Sequence, residues 1–344
     1  MNADTVLQAE RRRRSKVFFM LGILGVLIVA AFLLSMNAGS FRMSPGTVLN
    51  TLFGNGTDKE KLVLFEFRLP RISIALLVGA GLALSGCVLQ GISRNGLADP
   101  GILGINAGSG LVVLMFVAFY PSTDAAPVFA LPVLALLGAC LTALVIFGMA
   151  YKRGEGILPS RLILTGIAIA AAISSATIVL MLRISPEKYQ FVATWMAGSI
   201  WGSTWTFVLA LLPWLIAFGA YIMLKARTLD VFGLGEQTAS GLGAPVSKDR
   251  TRLLLVAAGL AGACVAVSGG IGFVGLIGPH IARRLVGPRH SALLPTSALC
   301  GALLLLIADT ISRAMPTASE IPTGIVVAVI GAPYFLYLMA RSRA

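Results

Sequence analysis

The chain holds few residues that could do chemistry. Its only histidines are His280 and His290, and neither has a ligand partner at helical spacing, so nothing supports a metal centre. Cys87, Cys140, Cys264 and Cys300 lack CxxC spacing and lie in apolar runs, which favours packing over disulfide or metal roles. There is no GxxxxGK(S/T) run to cradle ATP phosphates. Gly270, Gly272 and Gly275 match GxGxxG in form, but no strand precedes them, so a dinucleotide site is excluded. What remains is charge and turn chemistry. Asp309 and Arg313 are spaced for an i,i+4 ion contact. A structural clamp is the main reading, because proton-driven carriers usually bury more than one such acid. Arg68, Arg71 and Arg313 stand at the ends of apolar runs, where their forks suit carboxylates of a partner or lipid headgroups. The stretch GLGEQTASGLG, from Gly233 to Gly243, reads as a short polar helix ended by glycine, either a docking surface or a solvated connector.

The element that must position these groups is a set of membrane helices. The chain is 57% hydrophobic and 12% charged, with a mean hydropathy of +0.89. Soluble domains carry about 25% charged residues. Apolar runs of roughly 20 residues are long enough to span a bilayer. They fall near 17–37, 71–93, 101–120, 128–150, 162–182, 204–224, 253–270, 271–287, 293–312 and 322–340, which predicts an all-α integral membrane protein of about ten spans. The net charge of +13 follows this topology. With the N-terminus inside, 19 of the 27 Lys and Arg fall on the cytoplasmic side, from Arg11 to Arg14 through Arg283, Arg284 and Arg289. Both termini are thus expected in the cytoplasm, and nucleic-acid binding is excluded as the meaning of the charge.

The whole of 1–344 is expected to be one transmembrane domain. Residues 1–16 would form a basic cytoplasmic tail, followed by a retained first helix rather than a cleaved signal. The long connections are an outer segment, 39–67, and an inner one, 225–252. The run containing GLALSG and DPGILG is echoed by GLAGACVAVSGG and GFVGLIGPH, which begins on the other side of the membrane; inverted repeats of this kind occur in transporters. Glycines spaced for close helix approach occur at Gly104/Gly108, at Gly198/Gly202 and at Gly272, Gly275 and Gly278.

Several segments together resemble the FecCD family of ABC-transporter permeases. They are RLPR at 68–71, Ser85, Gly86 and Gln90, LADPGILG at 97–104, SRLILTG at 160–166, LGEQTASGLG at 234–243, GGIGFVGLIGPHIAR at 269–283, LLPTSALCGALLLLIADTISR at 293–313 and EIPTGIVVAVIGAPYFLYLM at 320–339. The resemblance implies a non-enzymatic permease of a bacterial cell membrane, without a cofactor, importing an iron–siderophore complex. Vitamin B12 or haem is the alternative cargo, and a proton-coupled carrier the alternative class. It also implies partners: two ATP-binding subunits, a second permease copy or paralogue, and an extracytoplasmic binding protein. Position by position, Arg68, Arg71 and Arg313 match the binding-protein docking arginines. Gly235, Glu236, Ala239, Gly241 and Gly243 match the helix that couples to the ATPase. Asn95, Leu97, Pro159 and Ser160 match the inner gate. The family usually has proline where this chain has Gly96, which relaxes the backbone at that turn.

Overall fold

In lipid every backbone N–H must find a carbonyl within the protein, and long uncharged runs do this as helices. The computed structural model describes residues 3–38, 43–120, 130–152, 156–241, 245–315 and 320–342. Helix α1 (Ala3–Asn37) carries the basic tail into the first apolar run without a break. On the outer side follow α2 (Pro45–Leu52), capped by Ser44, and α3 (Asp58–Lys61), opened by a Thr57–Glu60 capping box. A π-helical turn, Leu62–Arg68, feeds directly into α4 (Leu69–Ser93).

A 3-10 turn, Pro100–Leu103, precedes α5 (Ile105–Phe119). Then come α6 (Ala130–Ala150), a short antiparallel pair of β1 (Tyr151–Lys152) with β2 (Gly156–Ile157), and α7 (Pro159–Met181). Next are α8 (Pro186–Met196), α9 (Trp205–Leu224), α10 (Ala226–Gly233), α11 (Glu236–Gly241) and α12 (Val246–Ser268). Last are α13 (Val274–Val286), α14 (His290–Ala314) and α15 (Thr323–Ser342).

Among the described residues, 8 helices are long and apolar enough to cross a membrane. The expected spans at 101–120 and 271–287 are shorter. Helix α5 has 15 residues and α13 has 13. At 1.5 Å per residue these reach only about 22 and 20 Å, against roughly 30 Å of hydrocarbon. Each is preceded by irregular backbone, which is tolerated at such depth where protein buries it. The inner connection 225–252 is not an open loop either: α10, α11 and the first turns of α12 occupy most of it. Helix α8 was not foreseen.

Helix α4 is the hub. Within its apolar window 78% of residues are buried, against 11% for α1 and 17% for α7, so α1 and α7 face lipid or partners. Glycine makes this crowding possible. A Cβ at Gly79 would strike the backbone of Gly301 in α14, and one at Gly86 the backbone of Gly275 in α13. Gly108 approaches Gly138 O of α6 to 2.7 Å from its would-be Cβ, as the GxxxG spacing anticipates. Gly198 and Gly202 differ: at φ 81° and 72° they form the turn after α8 and pack no helix pair. Polar bonds add to the close packing. Ser85 Oγ donates to Ala257 O at 2.7 Å, and Gln90 Nε2 reaches Gly275 O and Leu276 O, each at 3.3 Å.

Candidate functional site

The three outer arginines come from two helix ends. Arg68 closes the π-helical turn, Arg71 lies in the first turn of α4 after Pro70, and Arg313 lies in the last turn of α14. They form one buried cluster. Arg71 Nε donates to Asp309 Oδ1 at 2.8 Å and its Nη1 to Glu320 Oε2 at 2.7 Å. Arg313 Nε donates to Asp309 Oδ2 at 3.0 Å, the i,i+4 contact read from the spacing, and its Nη2 bonds Ser35 Oγ of α1. Thr323 Oγ1 adds a donor to Asp309 Oδ1 at 3.4 Å, and Arg68 Nη2 reaches Ala38 O at 3.4 Å.

Asp309 is fully buried, whereas the Glu320 side chain is 41% exposed. The cluster therefore clamps α1, α4, α14 and the start of α15. Glu320 was missed in the sequence because 249 residues separate it from Arg71.

On the inner side, α4 ends at Arg94, which takes a left-handed φ of 52°. Asn95 Oδ1 then accepts the Leu97 N–H at 2.9 Å, fixing the turn. Leu97 packs with Phe273 and Ile281 around the cluster of Leu276, Ile277 and Leu338. Gly96 has no atom within 4 Å of a would-be Cβ and no left-handed φ. Pro159 takes the first turn of α7, where a missing N–H costs nothing. Ser160 is exposed and lines a cavity of about 210 Å³ together with Ser93, Arg94 and Arg250. Ser160 of α7 thus shares a cavity with Arg94, the residue that precedes the Asn95 turn.

Helix α11 begins after Gly235, whose φ of 102° suits glycine. A Cβ at Gly235 would lie 3.5 Å from Arg94 Nη1, so the gate turn touches the root of this helix. Ala239 is fully buried and seats α11 on the body, while Thr238, Ser240 and Gly241 are exposed. Glu236 opens the helix, and Gly243 lies outside the described residues. An ion pair and a carboxylate–histidine hydrogen bond, both invisible in the sequence, brace the segment. Lys225 Nζ meets Asp249 Oδ1 at 3.1 Å, and Asp230 Oδ1 accepts from the His290 main-chain N–H and bonds its Nδ1, each at 2.8 Å.

Long apolar helices packed on a buried hub helix define a multi-pass membrane protein. Comparison with known proteins narrows this. The FecCD transport family profile matches residues 27–341, and the chain belongs to that family. It is 45% identical over 337 residues to the iron(3+)-hydroxamate import system permease protein FhuG of Bacillus subtilis, covering 97% of this chain and 100% of that one. It is 38% identical to the hemin transport system permease protein HmuU of Yersinia pestis, covering 94% and 96%. A solved structure described as an inward-facing metal-chelate type ABC transporter superposes with a TM-score of 0.82 at 32% identity, covering 93% of this chain and 98% of that one. As a permease of an ABC importer, the chain works with an ATPase subunit and a binding protein.

Proposed function

We propose that this permease carries an iron(III)–chelate complex of the hydroxamate type into the cytoplasm. The observation that carries this is the 45% identity to the hydroxamate permease along the full length of both chains. In this reading two permeases, as copies or paralogues, enclose the path, and two ATPase subunits drive α11 so that the permeases rock between outward and inward access. The binding protein supplies selectivity.

The outer cluster supports docking. Glu320 is half-exposed at its edge, and the guanidinium groups behind it suit an acidic side chain of the binding protein. The proximity of Arg94 to Gly235 supports coupling between α11 and the gate residues Asn95, Leu97, Pro159 and Ser160. The 38% identity to a hemin permease favours haem as the second reading. Uptake of 55Fe-labelled hydroxamate chelate and of haem, in cells deprived of their own permeases, separates the two. Saturable chelate uptake is expected; haem uptake alone would overturn the cargo. For docking, Arg68→Gln, which leaves the Arg71–Asp309–Arg313 clamp in place, should weaken binding-protein affinity, and unchanged affinity would exclude the role. For coupling, Ala239→Pro, which removes the Ala239 N–H bond to Gly235 O and disrupts α11, should uncouple ATP hydrolysis from uptake, and intact coupling would refute the assignment.

A further inference from the structure

A second inner cavity, about 440 Å³, is lined by none of the outer arginines and shares Arg94 with the cavity at Ser160. Arg94 and Gln90 of α4, Arg283 from the last turn of α13, Arg289 and His290 from the α13–α14 turn, and Asp230 of α10 line it. Its charge is three guanidinium groups against one carboxylate. That carboxylate is already engaged, because Asp230 Oδ1 bonds the His290 main-chain N–H and imidazole. No acid pairs with Arg94, Arg283 or Arg289 among the described residues.

Three buried polar atoms at the cavity lack a hydrogen-bond partner: Arg283 Nε, His290 Nε2 and Gln90 Oε1. Folded proteins leave few such atoms without a reason. His290 is 6% exposed and Gln90 1% exposed, so solvent does not satisfy them. Gly91 lets the imidazole lie against α4, where a Cβ would stand 2.8 Å from Nε2.

We propose that this cavity binds a phosphate-type oxyanion, held by the guanidinium groups of Arg94, Arg283 and Arg289 with His290 and Gln90 beside them. Guanidinium forks match phosphate oxygens in geometry and charge. Gln90 Oε1 is an acceptor, which suits an anion bearing a hydroxyl, as hydrogen phosphate and a glycerol headgroup both do. The volume falls within the roughly 300–1,000 Å³ of small-molecule sites. Two sources share this chemistry: the headgroup of an anionic lipid, which basic pockets on the cytoplasmic side of membrane proteins receive, and free cytosolic phosphate. Because Arg94 also neighbours Gly235, an occupant would tie the end of α4 to the root of α11.

The test uses the full chain in nanodiscs. In phosphatidylcholine discs, inorganic phosphate and pyrophosphate are titrated by calorimetry. In discs containing phosphatidylglycerol, retained lipid is counted by native mass spectrometry. One of the two arms should show saturable binding to the natural chain, and which one does so identifies the source. The double variant R283Q/R289Q should weaken that binding about 100-fold, near tenfold per charge-assisted contact. Arg283→Lys keeps the charge and removes the fork, and should cost about tenfold even if the double variant folds poorly. Absence of binding in both arms, or equal binding by the variants, overturns the proposal. So does a loss confined to affinity for the ATPase subunit, which would make the cavity a protein contact.

Discussion

Replacing Asp309 by Asn removes the carboxylate that Arg71 and Arg313 share while keeping the side-chain volume. Asp309 is fully buried, and the Arg71 and Arg313 side chains are 10% and 6% exposed, so water cannot take over. Arg71 would retain Glu320, but Arg313 would lose its acid partner. Breaking a buried ion pair from one side costs about 3–5 kcal/mol, mostly through the uncompensated charge. Unfolding entropy near 2.1 cal/mol/K per residue over 344 residues makes each degree worth about 0.7 kcal/mol. The lower end of that cost thus lowers the unfolding midpoint by about 4 °C.

The readout is tryptophan fluorescence during heating in detergent, since the chain has 4 Trp. The discriminating variant is the pair Asp309→Asn with Arg313→Gln. It removes both charges together and should recover at least half of the loss. Glu320→Gln serves as a solvent-screened comparison, with an effect below about 1 kcal/mol. If Asp309→Asn melts within a degree of the natural chain, or if the double variant is as poor as the sum of the singles, the clamp reasoning is wrong.

Further expectations follow from the packing. Gly86→Ala drives a methyl into the Gly275 backbone and should cost about 1–3 kcal/mol, read as a lower melting midpoint, whereas Gly25→Ala, with nothing within 4 Å, should not lower it. Gly96→Pro restores the residue usual in the family; with open space and no left-handed φ it should stabilise by about 0.4–1 kcal/mol, and lost uptake would mean that the gate needs the freedom of glycine. Ala239→Glu puts a charge on the fully buried seat of α11 and should abolish ATPase coupling in reconstituted transporter, while full coupling would show that the seat is not needed.

The membrane class and most helices were legible because hydropathy and run length are local properties. Contact chemistry was legible only where it was local too. Asp309 and Arg313 are four residues apart and were read as a pair, whereas Arg71 and Asp309 are 238 apart and Asp230 and His290 are 60 apart. The arginines at the span ends illustrate the gap: their placement was readable, but the burial of Arg71 and Arg313 on internal acids was not. Helices α5 and α13 were overextended for a related reason. An apolar run does not say where helical hydrogen bonding begins, and the breaks depend on local backbone. Phe273, for example, adopts φ 65° without being glycine. Helix α8 was missed because its residues are too polar for a span.

The 3-10 turn that leads into one of those short helices packs on the start of the other. A Cβ on Gly275, near the start of α13, would lie 2.5 Å from Pro100 Cδ and 3.1 Å from Asp99 Oδ2. Asp99 Oδ1 accepts the Gly101 N–H at 2.7 Å, so its carboxyl caps the 3-10 turn while lying beside the start of α13. The segments that meet there are the ones whose sequences echo each other in opposite orientation, as in transporters built from inverted repeats. Helices α4, α13 and α14 interlock through backbone contacts at Gly79, Gly86, Gly275 and Gly301 that leave no space to slide. Motion in such a body must concentrate where hydrogen bonding is already interrupted, at Arg94–Gly104 and Gly269–Phe273, because hinges absorb their φ/ψ change at element ends. One of those joints touches the root of α11 through Arg94, and this contact gives a push from the cytoplasmic side a short mechanical route to the hub.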